Sequence, residues 1–348
     1  MNVLPSGEKP RSTKTAESPA HKAETQVKKI MEIIITFFFN NIEFPLILII
    51  GNTISVLRYI IYWAKLANRG FPVMTLSERN AFFKAGIALC FIITLLLLAA
   101  SYKIFPFYSA IEGNTRSVSF LQTISGWFLK SNYYAVHVSL IMAVLFSFVG
   151  IILIYFFFER TSTPEILYIS FFTVTFSFEI LRLIYPLHLI YIFPSFYLLS
   201  AARLLIFARY FNVFSLFTAS LCAAGLEIQK TRNLIMAIFL AVIVLTFGIP
   251  IDTENWDTSF NIVNGFASIF RMIDIVIFFA AVITFFVAAK VRDSREYIYI
   301  GIGAALALIG RNILIGTDNW TGPILGILLL SFGTWFICSK LHKIHLWL

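Results

Sequence analysis

Long apolar runs recur along this chain, and they restrict its fold more than any other feature. Each run covers roughly 17–25 residues, enough for a helix rising 1.5 Å per residue to cross about 30 Å of hydrocarbon. Of the 348 residues, 59% are hydrophobic and 13% are charged, whereas a soluble domain carries about 25% charged residues. Surface-to-volume scaling leaves a soluble fold unable to bury so much apolar surface. The sequence therefore predicts an all-α, polytopic transmembrane helix bundle.

The bundle is predicted to contain about 8 full spans and one short re-entrant or interfacial segment. The predicted full spans lie near 85–105, 134–158, 165–187, 189–208, 232–250, 262–289, 297–315 and 322–339. The run 211–228 is short and rich in Ser, Thr, Ala and Gly, and basic residues flank both of its ends. Because basic residues collect on the cytoplasmic side, this run is the candidate for the short segment. Whether it crosses the bilayer is left open.

Three regions divide the chain. Residues 1–29 are polar and basic, and their low apolar content predicts a disordered tail, since little burial offsets the entropy of ordering. Residues 30–80 are predicted to form amphipathic or interfacial helices on the cytoplasmic face. The apolar stretch 44–63 has basic residues on both sides, so whether it spans the bilayer also stays open. Residues 81–348 are assigned to the transmembrane bundle.

Basic flanks determine the predicted orientation. Lys and Arg residues place the 289–297 loop and the C-terminus in the cytoplasm, while the acidic loop 251–259 lies outside. Counting back through the spans places the N-terminus in the cytoplasm as well. The predicted location is the cell membrane, which is the inner or cytoplasmic membrane of a bacterium. Apolar residues at helical spacing predict a surface helix over 117–130 on the outer side, with a plain loop as the alternative.

Five ionisable residues fall within the predicted spans, where a charge needs a partner, a water-filled cavity or the bundle interior. They are Glu179, Arg182, Arg271, Asp274 and Arg311. Glu179 and Arg182 share a helix face because they are three residues apart, and Arg271 and Asp274 repeat that spacing. All five lie at similar predicted depth, in the middle to outer part of the bilayer. They form one candidate cluster of two acids and three arginines, with a formal net charge of +1.

Two interpretations of this cluster stay open. It is either an ion-pair network that fixes helix packing, or a ligand cavity open to the outside. In the cavity, an unpaired guanidinium would grip a small carboxylate or phosphate. Arg311 alone has the further option of reaching the outer headgroups or Asp318. Arg209 is expected to reach the inner headgroups, so Arg271→Leu is predicted to do more damage than Arg209→Leu.

No motif predicts catalysis, a metal site or a cofactor. Cys90, Cys222 and Cys338 form no CxxC spacing, and no histidine combines with acids or cysteines at ligand spacing. The net charge of +9 is explained by membrane orientation, so nucleic acid is not an expected partner. The sequence therefore favours a non-enzymatic protein whose main surroundings are the lipid bilayer.

The leading functional hypothesis is a sensory, regulatory or complex-forming membrane module with an outward-facing polar site and no output domain of its own. From residue 134 onward, the predicted arrangement is similar to the seven-helix modules of bacterial sensor proteins, in topology alone. Such a module would pass its signal to a cytoplasmic or membrane protein partner through residues 1–80. The alternative is a transporter of a small anion or metabolite, which the midplane charges and a broken segment at 211–228 favour.

Overall fold

The computed structural model describes residues 76–112, 131–159, 161, 163–191, 194–225 and 231–346. Within these ranges the helices are α1 (Leu76–Glu112), α2 (Tyr133–Phe158), α3 (Pro164–Val174), α4 (Ile184–Tyr191), α5 (Ser195–Ala223), α6 (Thr231–Gly248), α7 (Ala267–Val291), α8 (Glu296–Gly316) and α9 (Thr321–Leu346). A 3₁₀ segment (Thr175–Leu183) joins α3 to α4, and together the three form one rod, the third span. The predicted all-α bundle is confirmed.

Seven helical units in the described part of the chain are long and apolar enough to cross a membrane. They are α1, α2, the third span, α5, α7, α8 and α9. Helix α6 is apolar but shorter, with 18 residues. Large apolar side chains cover the outside of these helices, as in Phe156, which is 72% exposed, and Leu328, which is 62% exposed. Such an exterior requires hydrocarbon as its solvent, and helices satisfy their own backbone hydrogen bonds there.

Helix α5 differs from the sequence prediction. In place of a span at 189–208 and a separate re-entrant segment at 211–228, one continuous helix runs over Ser195–Ala223. Its 29 residues make it about 43 Å long, so Arg209 lies in its interior rather than at an end. The Ser- and Thr-rich part is buried against α3, the 3₁₀ segment and α7. The described part of the predicted short segment therefore continues helix α5, which is long and apolar enough to cross a membrane.

A β-hairpin follows α6, where the sequence predicts an acidic outer loop at 251–259. Strands β1 (Ile251–Trp256) and β2 (Ile262–Asn264) pair antiparallel. Residues 262–264, assigned by sequence to the following span, belong to this hairpin, and α7 begins only at Ala267. The hairpin covers one end of the bundle, since its Trp256 ring stacks on Tyr185 of α4 at a centroid distance of 4.5 Å.

Four predictions concern residues that lie outside the described ranges. They are the disordered tail at 1–29, most of the interfacial region 30–80, the possible span at 44–63 and the surface helix at 117–130. Residues 76–80 lie in helix α1 and continue into the first span, so they are not a separate interfacial element.

The two ends of the bundle differ in charge. The end that carries the hairpin, called the hairpin end, holds the acidic residues Asp252, Asp257 and Asp318. The loop between α8 and α9 lies at this end, since the Thr258 hydroxyl donates to Asp318 at 2.7 Å. The opposite end is called the basic end. It carries Lys290, Arg292, Arg295, Lys340 and Lys343.

Helices α8 and α9 lie backbone to backbone at three glycines. A Cβ atom on Gly310 would lie 2.4 Å from the Leu330 amide nitrogen, and one on Gly333 would lie 2.5 Å from the Ala307 nitrogen. A Cβ atom on Gly326 would lie 2.8 Å from the Leu314 amide nitrogen of α8. Small residues allow this close approach, which provides van der Waals contact where lipid removes the hydrophobic drive.

We expect Gly310→Leu to destabilise the protein by roughly 1–3 kcal/mol or more, because the side chain overlaps the α9 backbone. Gly316→Leu is the matched control, since a Cβ at Gly316 meets nothing within 4 Å. Thermal unfolding in one detergent measures both. Equal unfolding temperatures for the two variants would contradict the backbone contact.

Candidate functional site

The third span narrows to a 3₁₀ helix in its middle, over the nine residues Thr175–Leu183. The Phe172 carbonyl accepts hydrogen bonds from the Thr175 hydroxyl at 2.8 Å and from Asn212 Nδ2 of α5 at 2.6 Å. Side chains that bond to backbone carbonyls compete with the α-helical pattern, so the chain tightens here. A 3₁₀ helix has three residues per turn. Glu179 and Arg182 therefore stand in one column on the side facing the bundle interior.

Glu179 lies at the centre of the site. Arg209 of α5 donates two hydrogen bonds to its carboxylate, from Nε to Oε1 at 2.8 Å and from Nη2 to Oε2 at 2.7 Å. Arg182 adds a second cation, with Nη1 at 3.7 Å from Oε2. Glu179 is only 3% exposed. A buried carboxylate held by a two-bond guanidinium fixes the relative position of the third span and α5.

Arg182 joins this pair to the hairpin. Its side chain is buried, and its Nε donates to the Ser259 carbonyl at 3.1 Å, with Nη2 bonded to the same oxygen. Ser259 lies in the hairpin turn and is itself buried. The next residue, Phe260, has a φ of 56° and stacks on Tyr108 and Tyr133 at centroid distances of 5.9 and 5.7 Å. The hairpin turn thus closes over Arg182 from the hairpin end.

Arg311 of α8 and Asp274 of α7 form the other side of the cluster. Arg311 is 4% exposed, and it donates from Nη2 to the Arg209 carbonyl at 2.9 Å and from Nη1 to Asn312 at 2.7 Å. Arg311 and Arg209 both act electrostatically on Asp274. Asp274 Oδ1 and Arg311 Nε are buried, and neither has a hydrogen-bond partner among the described residues. This side of the cluster therefore retains one acceptor and one donor that are not used.

The structure brings together four of the five predicted site residues, and Arg271 is not among them. Arg271 is exposed on the outside of α7, although it lies only one turn from Asp274. Arg209 supplies the third guanidinium instead, so the expectation that it reaches the inner headgroups is wrong. With Arg209 included, the cluster again has two acids and three arginines.

Sequence reasoning missed Arg209 because it ended a span beside this residue. The triplet Arg209, Tyr210 and Phe211 contains no helix breaker, so the sequence gives no reason for a break there. One helix starting at Ser195 places Arg209 roughly 21 Å from the hairpin end, near the middle of the helix. No Gly or Pro separates the two apolar runs, and this pattern favours one continuous helix.

Two further contacts bind the hairpin to the bundle. Arg209 Nη2 donates to Asn261 Oδ1 at 2.7 Å, and Asn261 Nδ2 donates to the Ile315 carbonyl at 3.3 Å. Outside the spans, burial tends to raise the pKa of Asp318, but hydrogen bonds from Thr258 and Ser131 outweigh it, so the pKa is lowered. Asp318 is therefore an ionised acceptor that holds the hairpin turn at neutral pH.

The arrangement is a network of buried charges shared by four helical units and the hairpin. Within the described residues, no three His, Cys, Asp or Glu side chains are grouped to hold a metal ion. The fold and this site define a multi-pass α-helical integral membrane protein. Comparisons with protein-family models, with curated protein sequences and with solved structures give no significant match.

We expect Arg209→Leu to destabilise the protein far more than Arg271→Leu, reversing the order predicted from sequence. Removing Arg209 leaves the Glu179 carboxylate with one distant cation, and breaking a buried pair costs roughly 3–5 kcal/mol. Arg271→Leu removes an exposed charge. Denaturant unfolding in micelles compares the two matched variants, and similar losses would show that the Glu179–Arg209 pair does not stabilise the bundle.

Proposed function

We propose that this protein is a regulatory membrane module that receives a ligand or protein partner at its hairpin end. A displacement there would pass through the third span to the basic end. The observation that carries this proposal is a hydrogen bond to the Ser259 carbonyl in the hairpin turn. Its donor is Arg182, a side chain of the third span that is buried in the bundle. A surface hairpin that holds a buried guanidinium is mechanically linked to the helix bearing it.

The 3₁₀ segment supplies the element with two arrangements. A 3₁₀ helix rises about 2.0 Å per residue and an α-helix 1.5 Å, and short 3₁₀ stretches inside helices often mark hinges. Nine residues separate the two forms by about 4.5 Å of span length. A displacement of Arg182 would disturb its alignment with Glu179 along the 3₁₀ helix. It would therefore shift the balance between the 3₁₀ and the α-helical form of this segment.

An ion pair at the basic end would respond to a change in the length of the third span. Glu165, in the first turn of α3, is 3% exposed and lies 3.6 Å from Arg292. Arg292 follows α7, and its Nη2 donates to the Cys222 carbonyl at the end of α5 at 3.1 Å. A shift of the third span along its axis therefore acts on the turn between α7 and α8. A cytoplasmic or membrane partner, contacted there or through residues 1–80, would read the change.

The charge difference between the two ends supports an orientation with the hairpin end outside and the basic end in the cytoplasm. With α5 and α6 each counted as one crossing, the described units from α1 to α9 make eight crossings. An even number places both ends of the bundle on the same side. This supports a membrane protein whose bundle both enters at Leu76 and ends at Leu346 on the cytoplasmic side. With 44–63 on the cytoplasmic face and not spanning, both termini are cytoplasmic.

Transport of a small anion or metabolite is the second candidate. Asp274 Oδ1 and Arg311 Nε favour it, because a buried acceptor and a buried donor without hydrogen-bond partners among the described residues suit a small polar ligand. The broken segment at 211–228 no longer supports transport, since its described part continues helix α5. The closure of the hairpin end by Ser259 and Phe260 makes regulation the better-supported proposal.

We expect Arg182→Gln to speed hydrogen exchange at three places: the hairpin, the 3₁₀ segment and the turn between α7 and α8. The variant releases the hairpin carbonyl and one cation beside Glu179. Arg203→Gln is the matched control, because Arg203 Nη1 also bonds backbone carbonyls near the hairpin end, including that of Ile249 at 2.6 Å. Exchange followed by mass spectrometry in reconstituted bilayers measures each region. Faster exchange confined to the hairpin would overturn the proposed transmission.

Labelling of introduced cysteines tests the orientation. In intact cells or sealed vesicles, we expect a membrane-impermeant maleimide to label Asn255→Cys from outside and Ser294→Cys only after the membrane is opened. The unmodified chain gives the background from its native thiols, of which Cys90 and Cys222 are buried. The reverse pattern would invert the assignment of both ends.

A further inference from the structure

A narrow cleft of about 420 Å³ opens on the lipid-facing side of the bundle between α2 and α9. Its lining is almost entirely apolar. Three hydroxyl residues are part of the lining: Thr173, Ser331 and Thr334. The hydroxyls of Thr173 and Thr334 already donate to carbonyls of their own helices, at 2.9 and 2.8 Å. The cleft therefore suits a hydrocarbon ligand and not a polar solute.

Gly150 forms part of the cleft lining and brings α2 close to the third span. A Cβ atom there would lie 2.6 Å from Thr173 Cγ2. The wall on the α9 side includes Ser331 and Trp335, which are exposed. The cleft is thus a surface depression between packed helices, open on the lipid-facing side.

The dimensions of the cleft select its occupant. The lining runs along α2 from Met142 to Phe158, about 24 Å at the helical rise. A helix 10–12 Å wide and of this length occupies about 1,900 Å³, several times the volume of the cleft. The cleft therefore accommodates a thin acyl chain and not a partner helix.

The cleft ends at Phe158, beside cationic and polar groups of the basic end. Arg79 Nη2 donates to the Phe158 carbonyl at 2.9 Å and to the Glu159 carbonyl at 3.0 Å. Its guanidinium lies 5.3 Å from the centre of the Phe83 ring, and Nε and Nη1 have no hydrogen-bond partner among the described residues. The ring of His342 lies 5.6 Å from the Phe158 ring, and its Nδ1 is likewise unpartnered. Arg79 is buried, the acid Glu159 lies at the same corner, and Lys340 and Lys343 already pair with Glu296. The attraction for an anionic headgroup therefore comes from Arg79 and His342.

We propose that the cleft binds an anionic phospholipid, with one acyl chain between α2 and α9 and the phosphate beside Arg79 and His342. The lipid belongs to the leaflet at the basic end. This site faces the membrane and does not depend on the hairpin, so it goes beyond the proposed regulatory function.

Native mass spectrometry of the purified full chain tests the site with two probes that share dioleoyl chains, phosphatidylglycerol and phosphatidylcholine. We expect the first bound phosphatidylglycerol to be held about tenfold more tightly than phosphatidylcholine, about 1.4 kcal/mol. Ser331→Phe places a ring in the cleft and should lower the affinity for both lipids by about tenfold or more. Leu328→Phe is the matched control on the same helix, exposed but outside the cleft lining, and should bind as the unmodified protein does.

The headgroup contacts are tested separately with His342→Gln and Arg79→Gln. Each should reduce the preference for phosphatidylglycerol and leave the affinity for phosphatidylcholine unchanged, so His342→Gln keeps the test valid if Arg79→Gln does not fold. Equal affinities for the two lipids in the unmodified protein, or full lipid binding by Ser331→Phe, would overturn the proposal. Arg182→Gln should bind lipid normally, which separates a failure of this site from a failure of the regulatory function.

Discussion

Helix packing at the centre of this molecule depends on the unfavourable free energy of placing a carboxylate in hydrocarbon. Glu179 is buried inside the third span, where an unpaired charge is far less stable than in water, and the two hydrogen bonds from Arg209 offset much of that difference. The pair stabilises the native state only while both partners are present, since either one alone is a buried uncompensated ion. Helix α5 and the third span are therefore obliged to stay in one register.

Polar groups around this pair explain the irregular backbone at the same depth. Carbonyls that leave the α-helical pattern need other donors in a bilayer, because no water is available to supply them. The Phe172 carbonyl finds two side-chain donors, Thr175 and Asn212. The Ser259 carbonyl of the hairpin finds Arg182. In the sequence these polar side chains interrupt apolar runs. In the structure they supply the hydrogen bonds that stabilise the irregular backbone.

Much of the fold could be predicted from the sequence, because a bilayer requires helices of a fixed minimum length. Apolar runs located the crossings, and helical spacing placed Glu179 and Arg182 on one face. The error at α5 arose because Arg209 was taken for a flanking charge, since local sequence does not reveal a partner on another helix. The hairpin escaped prediction for a related reason. Its acidic residues indicate a loop, but the seating of Phe260 between aromatic rings depends on tertiary packing.

The glycine contacts between α8 and α9 have a mechanical consequence. Two helices whose backbones touch have little freedom to slide or roll against each other, so they move as a single rigid body. One face of this body carries Arg311, which bonds the Arg209 carbonyl, and its other face forms the α9 wall beside Trp335. None of the three glycine contacts involves the third span. The lipid-facing wall therefore keeps its shape when the third span changes form.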